Sequence, residues 1–483
     1  MLIRQTLLYL PAQILAPLVA FASVLIWAHL LVPSDLGIVT LLVAIQEICY
    51  AAFFGWWGFY TLRFIAQYSD PEKRISFLKA ETTAVFGSAI VQTLVVLPVL
   101  WLSFGKAIGA DVIALALLFM ITRSLNNYSA DRARAEARIL LYSLIQVIGP
   151  VIGFLFGLLC IWYFGPSPDA VLAGFITAQL IGVGLSVAMS DFGRRVGRSS
   201  RDIFKTALSF GGTQTTSSML AILAINAPRF IVSHQLGLGA VGMFAVGYGL
   251  GLRASAFAVT LVTAGAYPLV VRKMQTEGRD AAFTQLRQNM ILVALTVAPV
   301  TFGLLGINRS VVELLVAAPY REVTLLVLPL ATIGGLFRYL RAHTSDQVFL
   351  LNLKPRIGTL IAICDFMVAV ASAFFGIRAF GVIGAAFGPM MSGIVTFILS
   401  FTLSRLKFGF HAPLGTFARI VAAGAIMALV IWMLPTARTM PMLLAHVGLG
   451  AVIYISCVGL LLPKEARLAA EKLLKRRNKG ASQ

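Results

Sequence analysis

Acidic side chains are few in this chain: 19 Asp and Glu stand against 39 Lys and Arg, and charged residues of both signs make up only 12% of 483. A soluble domain carries roughly 25%, so a chain this poor in charge cannot clothe a surface that faces water on all sides. Long polar stretches are also missing. The connections between apolar runs are short and the longest polar segment is the C-terminal tail, which excludes a soluble domain inserted among them. The four cysteines, Cys49, Cys160, Cys364 and Cys457, fall within apolar runs at none of the usual metal spacings and read as small buried hydrophobes. Enzyme signatures are lacking too: there is no His-Glu-x-x-His, no Gly-x-Ser-x-Gly and no phosphate-binding loop, and the five histidines are scattered. The expectation is a protein that is not an enzyme and holds no cofactor.

Apolar residues are what the chain does have, at 59% with a mean hydropathy of +0.89. Runs of about 20 apolar residues recur along its length, the pattern of membrane-spanning helices. The sequence predicts an all-α integral membrane protein with about fourteen transmembrane helices. The expected spans are 6–31, 38–62, 82–104, 109–126, 139–164, 169–190 and 206–233, then 241–268, 288–307, 322–342, 357–377, 381–404, 415–434 and 441–462. The opening from Met1 to Arg4 followed by an apolar run resembles a signal peptide, but a similar segment returns later, so it reads as a retained first helix.

Lys and Arg fall unevenly between the connections. If the N-terminus is cytoplasmic, 32 of the 39 lie on the inner side and six on the outer, with Arg253 left inside a span. Such a bias sets orientation and places both termini in the cytoplasm. It also accounts for the net charge of +20 as a determinant of topology, so no nucleic-acid partner is expected.

The chain resembles itself at an offset of 205 residues. Ile26, His29, Leu31 and Gly37 match Ile231, His234, Leu236 and Gly242, and a second stretch, Ala170 to Gly182, matches Gly381 to Gly393 at an offset of 211. An offset of six spans gives both copies the same orientation, as in transporters built from parallel repeats. The expected organisation is two pseudo-symmetric six-helix lobes, 1–200 and 201–408, two additional helices in 409–463, and a basic cytoplasmic tail, 464–483, able to lie on anionic membrane lipids.

Several stretches resemble the polysaccharide transporter (oligosaccharide flippase) family of the multidrug/oligosaccharidyl-lipid/polysaccharide flippase superfamily. They are Leu31-Val-Pro-Ser-Asp-Leu-Gly37 with its counterpart Gly237 to Met243, and the basic stretch from Arg123 through Asn126, Asn127 and Arg132 to Arg138. Asn308 through Tyr320 to Leu330 follows, then Arg338, Asp346 to Phe349, and Gly381 to Ala386. The resemblance implies a two-lobed, alternating-access flippase of a bacterial inner membrane. Its cargo would be polyprenyl-pyrophosphate-linked oligosaccharide, with other polysaccharide-export proteins as partners. A lipid II flippase and a multidrug or small-cation antiporter of the same superfamily stay open. The lipid II branch usually carries arginines in its first two spans, whereas here none follows Arg4 in the first or precedes Arg63 in the second. The multidrug branch often has an acidic residue in the first span, and this one has none.

Charges inside spans are costly, roughly 2.5–3.5 kcal/mol each at the helix centre, and mark function by default. Glu47, beside Gln46, lies ~14 Å into the second span and Arg253 ~18 Å into the eighth. Adding the repeat offset to Glu47 gives 252, one residue from Arg253, so the two are expected at equivalent depths, facing one cavity. Asn226 and Arg229 stand near the outer end of the seventh span. These five, Arg253, Glu47, Gln46, Asn226 and Arg229, are the candidate substrate-binding residues; helix-to-helix pairing is the alternative for each charge, and snorkelling for Arg229. Asp365, deep in the eleventh span, is the candidate ligand of a coupling ion, Na⁺ or a proton, or else a structural partner.

Reporter fusions test the orientation. Fusions after Lys106, Asp169 and Arg378 are expected to read external and those after Lys73, Arg198 and Arg279 internal. The reverse pattern at most sites would invert the assignment.

Overall fold

In lipid a backbone has no partner but itself, so each apolar run is driven into a helix. The computed structural model describes residues 2–104, 109–197, 200–263 and 266–462 and shows helices and turns but no strand among them. The expected basic tail, 464–483, and the loop positions Lys106 and Arg198 lie outside the described residues.

The helices in chain order are α1 (Leu2–Leu30), α2 (Pro33–Cys49), a π-helical turn (Tyr50–Phe54), α3 (Gly55–Phe64), α4 (Pro71–Phe104), α5 (Ala110–Ala135), α6 (Ile139–Phe164), α7 (Pro168–Met189) and α8 (Arg201–Leu236). Then come α9 (Leu238–Thr263), α10 (Ala266–Thr276), α11 (Arg279–Gly306), α12 (Asn308–Leu315), α13 (Ala318–Ala342) and α14 (Ser345–Leu351). The chain continues with α15 (Pro355–Phe380), a 3₁₀ turn (Gly381–Ala386), α16 (Phe387–Phe408), α17 (Leu414–Trp432) and α18 (Met440–Leu461).

Twelve stretches among the described residues are long and apolar enough to cross a membrane. One of them, Arg356–Phe408, holds two passes: the chain reverses at Gly381 (φ 60°). Beyond that turn Gly388 lies back against α15, where an added Cβ would sit 2.8 Å from the Ala369 carbonyl oxygen. With the apolar Leu15–Leu30 of α1, the expected number of about fourteen is met, and the chain is a multi-pass integral membrane protein.

Several spans are longer than hydropathy suggests, the third among them, expected over 82–104 and observed as Pro71–Phe104. The fourth was expected to end at 126 but α5 continues to Ala135, and the seventh, expected over 206–233, occupies Arg201–Leu236. In α5 the misleading signal is the run of polar and charged residues from Arg123 onward. It reads as a loop, yet most of these side chains are satisfied inside the protein and the helix runs through them.

The chain separates into two compact units, Met1–Val246 with Ala362–Gly388, and Gly247–Ile361 with Pro389–Gln483. In the first, an aromatic core of Phe54, Trp57, Tyr60, Phe77 and Tyr128 joins α3, α4 and α5. In the second, Val293, Val297, Ala423, Met427 and Tyr454 pack α11 against α17 and α18.

The sequence repeat has a physical counterpart within the first unit. A Cβ on Gly37 would lie 2.9 Å from the Leu238 carbonyl carbon and 3.3 Å from Gly242 N; one on Gly242 would lie 2.9 Å from the Pro33 carbonyl carbon and 3.1 Å from Gly37 N. The starts of α2 and α9, matched at offset 205, therefore cross each other reciprocally, as surfaces related by a two-fold axis do. Only glycine permits backbones to approach this closely. Gly37→Ala and Gly242→Ala are expected to cost ~1–3 kcal/mol each through overpacking and to lower the melting temperature in detergent. Gly239→Ala, with no atom within 4 Å of the added carbon, should leave it unchanged.

Candidate functional site

Glu47 in α2 is half-buried and meets α8 at Asn226, whose Nδ2 donates to Glu47 Oε2 at 3.1 Å and to the Ile222 carbonyl at 3.1 Å. Asn226 is fully buried. Its Oδ1 accepts a hydrogen bond from Arg229 Nη1, so the guanidinium turns back along α8 toward the carboxylate. Three expected site residues, Glu47, Asn226 and Arg229, thus form one hydrogen-bonded chain, Arg229 to Asn226 to Glu47.

A fourth member escaped the sequence reading. Arg123 lies at mid-length in α5 and feels the charge of Glu47. Its Nε is buried without a hydrogen-bond acceptor, and its guanidinium carbon stands 5.7 Å from the centre of the Phe119 ring. Counted as a connection charge because apolar sequence stops there, it is a membrane-depth cation. The contacts described bring two guanidiniums, one carboxylate and one amide together inside a low-dielectric region.

Gln46 points elsewhere. Its Nε2 donates to Ser124 Oγ at 3.4 Å, and Ser124 Oγ donates to Gln92 Oε1 at 2.8 Å, a wholly buried link from α2 through α5 to α4. Arg253 lies in the second unit on α9 and its side chain is exposed. Asp365 belongs to the first unit and is fully buried within α15. Among the described residues no group of three or more His, Cys, Asp and Glu is placed to hold a metal ion.

A larger ionic cluster in the first unit was also missed. Arg132, 1% exposed, donates from Nε to Glu81 Oε1 at 2.7 Å, from Nη2 to Asp191 Oδ1 at 2.5 Å and from Nη1 to Glu136 Oε2 at 3.3 Å. Arg74 donates to both oxygens of Asp191, at 2.8 and 2.9 Å, and pairs with Glu136, which Arg138 also meets at 2.9 Å. Tyr128 donates to Glu81 and accepts from Trp57 Nε1 at 3.0 Å. One turn on, Tyr50 of the π-helical turn donates to Asp131 Oδ2 at 2.6 Å. Three arginines and three carboxylates balance, binding α4 and α5 to the segment that follows α7. The available signal was the 3–4-residue spacing of Tyr128, Arg132 and Glu136 on one helix face.

In the second unit a hydroxyl row on α16, Ser392, Thr396, Ser400 and Ser404, is spaced four apart and fully buried. Arg338 Nη2 donates to Ser392 Oγ at 3.0 Å and Arg341 to Thr396, while Arg341 pairs with Asp346 at 3.2 Å and Ser400 donates to Asp346 at 2.6 Å.

These features define the class: a polytopic membrane protein built on an internal repeat, with ionisable side chains held inside its spans. The chain belongs to the polysaccharide biosynthesis protein family, whose model matches residues 26–325. It is similar to the amylovoran biosynthesis protein AmsL of Erwinia amylovora, 21% identical over 242 residues, which are 50% of this chain and 61% of the relative. The match thus spans about three-fifths of that relative's length. Among solved structures it is similar to the lipid II flippase MurJ in an inward closed conformation, with a TM-score of 0.74 and 13% identity over 94% of this chain and 98% of that one. It is also similar to an inward-facing multidrug resistance transporter of the MATE family of the MOP superfamily, with a TM-score of 0.66 and 15% identity over 83% and 98%. At these identities the likeness establishes a shared fold.

The ionic cluster makes a stability prediction. Removing one partner of a buried pair costs ~3–5 kcal/mol because the other charge is stranded, so Arg132→Ala and Glu81→Ala are each expected to destabilise strongly, and Arg132→Met with Glu81→Leu less than their sum. Asp191 lies outside the spans. Burial alone would raise its carboxyl, but hydrogen bonds from Arg74 and Arg132 outweigh that and hold it well below the usual carboxylate range. A depressed folded pKa adds stability that is complete above the unfolded value of ~3.9 and is lost as pH falls below it. Melting temperature should therefore drop on acidification below about pH 4, and Asp191→Asn should start lower at neutral pH and drop less.

Proposed function

We propose that this protein moves a polyprenyl-pyrophosphate-linked oligosaccharide from the cytoplasmic to the external leaflet of a bacterial inner membrane by alternating access, for export of an exopolysaccharide, O-antigen or capsule. The observation that carries this reading is the cationic group of Arg123 and Arg229 around Glu47 and Asn226 inside the spans of a polysaccharide biosynthesis family member. A sugar pyrophosphate cannot enter hydrocarbon unaided, because its oxygens would lose their water partners. Guanidinium groups replace that water with charge-assisted, bidentate hydrogen bonds. Glu47 and Asn226 hold Arg229 in place between cycles. Arg253, exposed on α9 of the second unit, is a further substrate-binding cation, and Asp365 is the ligand of a coupling cation.

The fold likeness to multidrug transporters supports a second reading, a drug or small-cation antiporter. A cation carrier needs a negative site, and the two guanidiniums beside Glu47 speak against it. A lipid II flippase is the third reading, supported by the likeness to MurJ in fold.

Deleting the gene tests the three together. The flippase reading expects surface or secreted polysaccharide to be lost and lipid-linked oligosaccharide to accumulate on the inner leaflet, with membrane glycosyltransferase activity unchanged. Raised drug sensitivity with normal glycan output would establish the antiporter, and accumulated cell-wall precursor the lipid II flippase. Arg123→Ala, at normal membrane abundance, should reduce export by at least about tenfold, the equivalent of one charge-assisted hydrogen bond.

A further inference from the structure

Helix α5 buries most of its surface between Thr122 and Ala133. Thr122 donates to Gln179 of α7 at 2.7 Å, Ser124 to Gln92 of α4 at 2.8 Å, and Arg132 enters the ionic cluster. Leu125 packs against the aromatic core, and Ala130 and Ala133 pack with Leu141 and Ile145 of α6. Four residues are left on the remaining face: Arg123, Asn127 and Asp131, half-buried, and Arg134, exposed. At ~100° per residue they fall within ~80° of one another around the helix, and they span ~16 Å along it.

Two contacts show what this stripe adjoins. Arg123 feels the charge of Glu47, and Asp131 accepts a hydrogen bond at 2.6 Å from Tyr50, one turn beyond Glu47. The stripe therefore runs beside α2 and the π-helical turn, in the unit that also carries Asn226 and Arg229.

The ordinary reading is that polar residues near the end of a span reach water. It suits Arg134 and Asp131, an i,i+3 pair at 3.0 Å with 47% and 34% of their side chains exposed. It does not suit the other two. Asn127 stands ~10 Å and Arg123 ~16 Å before Arg134, and the Asn127 side chain makes no hydrogen bond among the described residues. An amide bare toward hydrocarbon is costly, and a guanidinium more so. A continuous wet path along this face removes both costs.

We propose that this face of α5 is the route by which a pyrophosphate headgroup climbs from the cytoplasmic interface to the site around Glu47. The charge bias expects the Arg134 end on the inner side. Arg134 makes the first contact: its bond to Asp131 is exposed, and exposed ion pairs hold weakly, so a phosphate displaces the carboxylate. Asp131 keeps the Tyr50 hydroxyl on its other oxygen and is not stranded when Arg134 turns away. It lies at the edge of the stripe, which leaves Arg134, Asn127 and Arg123 within ~40° of one line. Asn127 offers two N–H donors to phosphate oxygens about one turn short of Arg123, which receives the anion. The inference rests on the flippase reading and adds to it the path of the charged part of the cargo.

Thiol labelling of the full-length protein in inside-out membrane vesicles tests the route. Asn127→Cys, at normal membrane abundance, should react with a membrane-impermeant maleimide above the background of the native cysteines. Ala130→Cys, at a position 3% exposed, should not. Undecaprenyl pyrophosphate in the vesicle membrane should slow labelling at 127 roughly tenfold near saturation, by mass action, and uncharged undecaprenol should not. Arg134→Gln should raise the amount of pyrophosphate lipid needed for that protection about threefold, the worth of one exposed charge contact. Arg134→Lys should restore it, and Asp131→Asn, which frees Arg134, should lower it; a merely structural pair would move both in the same direction. An unreactive Asn127→Cys, or equal protection by the two lipids, overturns the route. Protection by neither lipid overturns it too: the flippase reading stands if gene deletion still strips surface polysaccharide, and falls with the route if it does not.

Discussion

The pairing of Arg132 with Glu81 is the interaction on which the first unit depends. A guanidinium and a carboxylate removed from water would each be costly to bury, and their attraction offsets that cost only when further hydrogen bonds occupy the remaining donors and acceptors. Here Asp191 and Glu136 take the other arms of Arg132, while Tyr128 supports Glu81. Four parts of the chain are committed to one point: α3 through Trp57, α4 through Glu81 and Arg74, α5 through Arg132, and the segment after α7 through Asp191. The aromatic core around Trp57 and Phe77 packs beside it. The cluster is therefore both a weld and a reason for α5 to remain helical past the point where its sequence turns polar.

That rigidity gives the upper part of α5 its role. Arg123 stands more than two turns before Arg132 on the same helix, so whatever fixes one end fixes the other. The site around Glu47 is assembled on the backbones of α2, α5 and α8, and the hydrogen bonds from Gln46 to Ser124 and from Tyr50 to Asp131 join α2 and the π-helical turn to α5 along its length. A charged site in a membrane has to be held open against collapse and against neutralisation by a nearer partner. Here Glu81, Glu136 and Asp191 are already engaged with Arg132 and its neighbours in the ionic cluster.

Much of the fold was legible because hydropathy and charge bias are first-order effects in a bilayer. The number of passes followed from run length, and the reciprocal approach of Gly37 and Gly242 gives physical form to an offset that the sequence states in a handful of residues. The site was only partly legible. Glu47, Asn226 and Arg229 were found because a polar residue in an apolar run is conspicuous. Arg123 and Arg132 were not, because charges near the end of an apolar run look like connections; only knowledge of their partners shows that the helix continues. Gln46 illustrates the opposite error. It neighbours Glu47 in sequence, but adjacent helical residues point ~100° apart, and its amide belongs to the buried link through Ser124.

The π-helical turn at Tyr50–Phe54 has a consequence for how this sequence can vary. Such a turn holds one more residue than an α-helical turn would. The half of the rod that carries Glu47 and the half that carries Gly55 and Trp56 therefore keep separate phases. Loss of that extra residue would let the turn close as an α-helical one and keep the two halves nearly in phase, whereas loss of a residue from α2 or α3 on either side would rotate one half against the other by ~100°, and either the charge would leave Asn226 or the indole would leave α8. A membrane helix usually tolerates substitution far better than a change in length. In this one, the five residues of the turn are a place where one residue can be lost without turning an electrostatic register against an aromatic one.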